Sequence, residues 1–163
     1  MAKANGKKAG APSARMIEQR WTKPLADTGW TAIPTVILTH QRELRLDALD
    51  LAIVIHIAKH WWLPGTLPFP SKGSIAKLLD VDVSTVRRRI ARMERRGLIA
   101  RVARRGPLGG SKTNEYKFDG LISKATPFAI AVINERRERK AKRDHERGRP
   151  VLRAVKGGRD EEV

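Results

Sequence analysis

The sequence predicts an α+β fold that is mainly α: a three-helix core and a two-stranded hairpin, followed by a C-terminal helix and flanked by flexible basic tails. Three observations predict it. The segment LDALDLAIVIHIAKHWW carries enough apolar surface for a central core helix. The run VDVSTVRRRIARMERRG puts Val86, Ile90 and Met93 at the +4 and +3 spacing of one helical face and ends on Gly97. Beyond that glycine, LIARVARR alternates apolar and basic residues, and NEYKF returns across a glycine-rich loop as its partner strand.

Taken in chain order, residues 1–20 read as a flexible basic arm, because they are rich in small residues and lack apolar periodicity. Order is expected to begin near Trp21 or Trp30. Pro34 suits the first turn of a short helix over about 34–41. Asp47 can cap the core helix, whose buried face is read as Ala48, Leu51, Ile55 and Ala58, widened by Val54 and Ile57. Three prolines and a glycine in LPGTLPFP stop that helix. The next helix starts at Ser71 or Ser74 and carries Ile75, Ala76, Leu78 and Leu79. Asp82 is placed to cap the arginine-rich helix over about 83–96. After Gly120 the chain is expected to turn helical again from about Pro127, with Phe128, Ala131 and Val132 packing either on their own domain or on a second copy. The resulting division is an arm at 1–20, a domain at 21–125, a charged helix at 126–147 and a disordered tail at 148–163.

Charge narrows the partners. The chain has 163 residues and a formal net charge of +17. Seventeen basic and eight acidic residues fall between positions 30 and 125, so the excess is largest where the chain is expected to fold. A polyanion is the natural partner, because lysine and arginine gain affinity by releasing the counterions condensed on phosphates. The chain has no cysteine, which removes disulfides, thiolate zinc sites and a cysteine nucleophile together and fits a reducing compartment. No apolar stretch approaches the ~18 residues of a membrane span. The first fifteen residues lack the apolar region of a secretory signal.

Between Arg87 and Arg105 stand nine arginines in nineteen residues, with Glu94 as the one acid. With Val86 and Ile90 turned inward, the helix presents Ser84, Arg88, Arg92 and Arg95 outward, with Arg87 on the flank. Only the N-terminal part of such a helix enters the DNA major groove deeply. Val83, Ser84, Thr85, Arg87 and Arg88 are therefore the candidates for the DNA-facing start of the helix. Base reading falls to Val83, Ser84, Arg87 and Arg88, since an arginine can pair bidentately with guanine O6 and N7. Arg92 and Arg95, further along, are assigned to phosphate. Arg104, Arg105 and Lys112 flank the glycine-rich hairpin tip and are assigned to backbone contacts. Ser71, Lys72 and Ser74 at the preceding helix start add phosphate contacts through free N–H groups.

The segments WTAIPTVIL, LDALDLAIVIHIAKHWW, PFPSKGSIAKLL, STVRRRIARMERRGLI and GGSKTNEYKFDGLI resemble the winged helix-turn-helix family of bacterial and mobile-element proteins, over some three-fifths of the chain. The family commonly has glycine where Asp80 stands and a small residue where Arg89 stands. The resemblance implies binding of double-stranded DNA. The expected role is a transcriptional regulator in the cytoplasm, on the nucleoid; a plasmid or phage replication initiator and a low-specificity architectural protein are the alternatives. A homodimer through the C-terminal segment is the expected assembly.

Other constellations are weaker. His56 and His60 lie four apart, but no glutamate follows the first histidine and no third ligand stands nearby, so His56 reads as a core residue rather than a metal ligand. Trp61 and Trp62 point about 100° apart on a helix, so at least one reads as core. The 106–110 glycines lack the context of a phosphate-binding loop. No carboxylate pair with a nucleophile stands out, so no enzyme activity, metal or cofactor is expected.

Overall fold

The computed structural model describes residues 14–63, 65–106 and 110–148. The element order is α1 (Ala14–Trp21), α2 (Lys23–Asp27), α3 (Thr35–Thr39), α4 (Ala48–Ala58), α5 (Lys72–Leu79), α6 (Val83–Arg95), β1 (Ala100–Arg105), β2 (Ser111–Lys117) and α7 (Asp119–Gly148). The architecture is the predicted one: helices α4, α5 and α6 enclose the core, and β1 and β2 form an antiparallel hairpin beside it.

Helix α6 shows why the central prediction held. Val86, Ile90 and Met93 are all fully buried. The helix ends in a double turn in which Gly97 N–H donates to Glu94 (2.8 Å) and Leu98 N–H donates to Met93 (2.9 Å). That closure requires a left-handed residue, supplied by Gly97 at φ +62°. The turn between α5 and α6 also needs a left-handed residue, and Asp80 stands there at φ +51°. A short polar side chain tolerates this conformation, so the departure from glycine leaves the turn intact.

The buried face of α4 differs from the predicted one. Asp50, Ile53, Val54 and Ile57 are buried, whereas Leu51, Ile55 and Ala58 are half-buried and Ala48 is exposed. The helix is apolar on nearly every side, so periodicity alone offered two equivalent stripes. The buried stripe is the one carrying Asp50, which meets arginines of α6. The helix also stops at Ala58, before the tryptophans, where His60 and Trp61 close short turns onto Ile57 and Ala58. Trp61 packs on Phe118 at 5.6 Å between rings.

Both ends of the chain hold more helix than expected. Residues 14–20, assigned to the basic arm, are helical in α1, with Ile17 buried. The rest of the predicted arm, the tail from 149 and the hairpin tip at 107–109 lie outside the described residues. Helix α7 starts at Asp119, eight residues before Pro127. Phe118, Leu121, Ala125 and Phe128 form a +3, +4, +3 stripe; the first three are buried and Phe128 is half-buried, stacked on His40 at 4.6 Å between rings. A proline inside a helix costs about 3 kcal/mol. Burial of three to four apolar side chains at ~1.5–3 kcal/mol each outweighs it. Phe128 thus packs on its own domain, while Ala131 is exposed and Val132 half-buried.

The start of α7 touches the end of α6 directly. Leu121 N–H donates to Leu98 (2.8 Å), and a Cβ on Gly120 would lie 2.0 Å from the Gly97 carbonyl oxygen. Helix propensity alone favours alanine over glycine by about 1 kcal/mol. The backbone clash overrides that preference, so Gly120→Ala should destabilise the protein by about 3 kcal/mol in urea unfolding. A Cβ on Gly110 meets nothing within 4 Å, and Gly110→Ala should stay within about 0.5 kcal/mol of the parent. Equal stability of the two variants would refute the close packing of α7 on α6.

Candidate nucleic-acid interface

The interface is built on the outer side of α6. Val83, Ser84, Arg87, Arg88 and Arg95 are exposed, and Thr85 is half-buried. Arg88 reaches back to the Thr85 hydroxyl at 3.2 Å, which orients its guanidinium along the first turns of the helix. Among the described residues, no acid lies within ion-pair distance of Arg87, Arg88 or Arg95.

Arg89 and Arg92 are used differently. Both face α4, where Asp47 and Asp50 await them. Arg92 donates to Asp47 at 2.7 Å and to Asp50, and Arg89 donates to Asp47 and stands 3.6 Å from Asp50. The position where the family commonly has a small residue therefore holds one half of an inter-helix ion pair. Arg92, assigned to phosphate from its place on the helical wheel, has its guanidinium taken up by carboxylates of its own chain. The wheel could not show this, because the acids come from a helix some forty residues away. A signal was present: Asp47 and Asp50 are spaced i,i+3, as are Arg89 and Arg92, so two facing helices can pair them twice.

Asp47 caps α4 at the same time. Its side chain accepts from Asp50 N–H at 2.9 Å, and the Asp50 carboxylate accepts from Asp47 N–H at 3.4 Å. Desolvation raises the Asp47 carboxyl, but the Asp50 N–H, Arg92 and Arg89 together outweigh it and hold it at about 2. Hydrogen bonds from Asp47 and then Asp50 raise Arg92 in turn.

The wing is fixed to α6 by a second ion pair. Arg101 of β1 donates from Nε to Glu94 at 2.8 Å, and this holds the Glu94 carboxyl below its ordinary value. The β1–β2 register runs from Ala100 opposite Lys117 to Arg105 opposite Ser111, with a bulge between Val102 and Arg104. Tyr116 is buried and its N–H donates to Pro68 (2.9 Å), so the loop before α5 covers the outer edge of β2. Of the wing cations, Arg105 and Lys112 are exposed. Arg104 departs from its assignment: it lies 4.4 Å over the Phe69 ring and 3.4 Å from Glu115.

The start of α5 lies beside this surface. Ser71 accepts from Ser74 N–H at 2.9 Å, and the Ser74 hydroxyl donates back to the Ser71 carbonyl at 2.8 Å. Of the N–H groups expected to meet phosphate here, that of Ser74 is spent on capping by the Ser71 hydroxyl. Lys72 stays half-buried among cations. Burial first, then repulsion from Arg101 and Arg87, lowers its ammonium, with Glu94 opposing. Such a site favours an anion.

Residues 44–99 match the family model of a helix-turn-helix domain. That stretch is thus similar to a helix-turn-helix domain, and the β1–β2 hairpin that follows α6 stands where a wing would. The crystal structure of the N-terminal domain of DnaD protein from Geobacillus kaustophilus HTA426 is similar at a TM-score of 0.51 and 19% identity, over 73% of this chain and 96% of that one. A possible transcriptional regulator from Methanosarcina mazei Go1 aligns at a TM-score of 0.41 and 21% identity, over 67% of this chain and 85% of that one. At these identities the DnaD likeness concerns the fold alone. No curated protein matches the sequence.

His56 is half-buried, and its Nδ1 is buried with no hydrogen-bond partner among the described residues. Burial, then Lys59 and His60, lowers its ring. Among the described residues, no three potential metal ligands cluster. No described helix is long and apolar enough to cross a membrane.

The ion-pair network predicts an acid dependence. A carboxyl held at about 2 against an ordinary 3.8 adds stability that is full above about pH 4 and lost as pH falls toward 2. Asp47→Asn keeps a capping oxygen and removes the charge. The stability gap between parent and variant should be constant above about pH 4 and close toward pH 2 in urea titrations. A gap that persists unchanged at pH 2 would show that the charge of Asp47 is not what stabilises the fold.

Proposed function

We propose that this protein binds double-stranded DNA sequence-specifically through α6 and acts as a transcriptional regulator. The observation that carries this reading is the division among the α6 arginines. Arg89 and Arg92 are bound by Asp47 and Asp50, and Arg87 and Arg88 stand exposed in the first turns with no acid among the described residues within ion-pair distance. Cations in the first turns of a helix oppose its dipole, a modest cost that contact with a phosphate or a guanine edge offsets. Arg87 and Arg88 read bases together with Val83 and Ser84. Arg95, Arg105, Lys112 and Lys72 contact phosphate and set register. The same geometry serves a replication initiator. Which DNA the protein selects, promoter or origin, separates the two roles.

Arg88→Ala should cost ~1–3 kcal/mol on a site selected from a random library and relax one base position, with a smaller loss on random DNA. Equal losses on both would leave Arg88 a phosphate contact and favour the architectural alternative.

A single winged helix reads few base pairs, and two copies on half-sites about one turn apart reach useful specificity. A second copy docks on α7, where Ile122, Ile130 and Ile133 are exposed. This stripe replaces Phe128, Ala131 and Val132 as the pairing surface. The double change Ile130→Lys/Ile133→Lys should leave the domain folded by circular dichroism and convert a dimer to a monomer in sedimentation. The same mass for parent and variant would remove this surface from the assembly.

A further inference from the structure

Behind the last turn of α6 the fold leaves a cleft of about 500 Å³ between the loop before α4, the end of α6 and the start of α7. Four cations line it: Arg45, Arg95, Arg96 and Lys124. Glu43 is the one acid in its wall, and among the described residues none of these five groups takes part in an ion pair. The remaining lining is apolar: Leu44 and Leu98, both buried, and the half-buried Phe128.

Two of the cations are held in place by backbone. Arg96 donates to the Arg45 carbonyl at 2.7 Å, and Lys124 donates to the Arg96 carbonyl at 2.8 Å. The stack of Phe128 on His40 fixes the aromatic wall. The cleft therefore has pre-positioned positive charge on one side and rigid apolar surface on the other. Cations near a helix C-terminus are favourable on their own, which accounts for Arg95 and Arg96. It also accounts for Lys124, which meets the Arg96 carbonyl, but not for Arg45, which comes from the loop before α4 and lines the same space.

We propose that this cleft is a binding site for a small amphipathic anion: a phosphate or carboxylate bound by Arg45, Arg95 and Lys124, carrying an aromatic or aliphatic body against Leu44, Leu98 and Phe128. The base-reading residues occupy the first two turns of α6, and the cleft adjoins its last turn, about 10 Å further along at 1.5 Å per residue. An anion that draws on Arg95 and Arg96 acts on the end of the helix that carries the DNA-facing residues. Any resulting change in DNA affinity must be matched by an equal change in anion affinity on DNA binding. That coupling rests on the DNA-binding reading above; the site itself does not.

The test titrates phenyl phosphate into the full chain, with inorganic phosphate and phenol as separate arms. It is followed by isothermal calorimetry and by methyl NMR shifts of Leu44 and Leu98. Arg45→Asn keeps a residue type that tolerates the φ of +55° at that position, and Lys124→Gln is an exposed change. Saturable binding of phenyl phosphate that shifts both leucines is expected, weakened about fivefold or more by each substitution, since each removes a charge-assisted hydrogen bond. Phenol and inorganic phosphate should each bind more weakly than phenyl phosphate. No saturable binding overturns the proposal, as does binding that ignores both substitutions or equal binding of inorganic phosphate. Loss of DNA affinity in both variants without phenyl phosphate binding makes the cleft a DNA-backbone contact and also overturns it. DNA binding by the parent is measured separately, so failure of the site and failure of the DNA-binding reading are distinguishable.

Discussion

The ion pairs from Asp47 and Asp50 of α4 to Arg89 and Arg92 of α6 are the constraint on which the rest of the interface depends. Asp50 is wholly buried, and an unpaired carboxylate there would cost several kcal/mol. The acids and arginines are therefore obliged to meet, and their meeting fixes the rotation of α6 about its axis as well as its position. Apolar packing by Val86, Ile90 and Met93 holds the helix down but tolerates modest rotation. Two guanidinium–carboxylate contacts, one turn apart, tolerate much less. Rotation matters because it decides which arginines face outward.

A second consequence is a sorting of charge. Six arginines crowd α6 and its C-cap, and their mutual repulsion opposes folding. Pairing two of them with α4 relieves that repulsion and clears the outward face of those two cations. Arg101 and Glu94 extend the same logic to the wing, tying β1 to α6. Arg96 and Lys124 do this at the far end, where they satisfy carbonyls at the junction of α6, α7 and the loop before α4. Helix α6 is thus anchored at three places by polar contacts, each to a different element.

Helix α7 completes the core. Leu121 and Ala125 are buried, and Gly120 lets its backbone approach that of Gly97 closely. The first turns of α7 are part of the domain, so the boundary expected at residue 126 falls inside a helix that belongs to the core at one end and projects into solvent at the other.

What the sequence by itself determined is what depends on local periodicity and end signals. The arginine-rich helix, its buried stripe, its glycine stop and the hairpin beyond it were legible because 3.6-residue and 2-residue patterns are properties of short segments. The cap at Asp47 was legible for the same reason, whereas Asp82, read as a cap in the same way, makes no side-chain capping hydrogen bond. Tertiary structure alone decided which face of α4 is buried, because that helix is apolar on nearly every side and its orientation is set by partners distant in sequence. It likewise decided that Arg92 and Arg104 are engaged by their own chain, that Pro127 sits within a helix, and that cations from three elements converge on one cleft. Each of these depends on contacts between segments far apart in the chain, and a one-dimensional pattern does not carry their mutual placement.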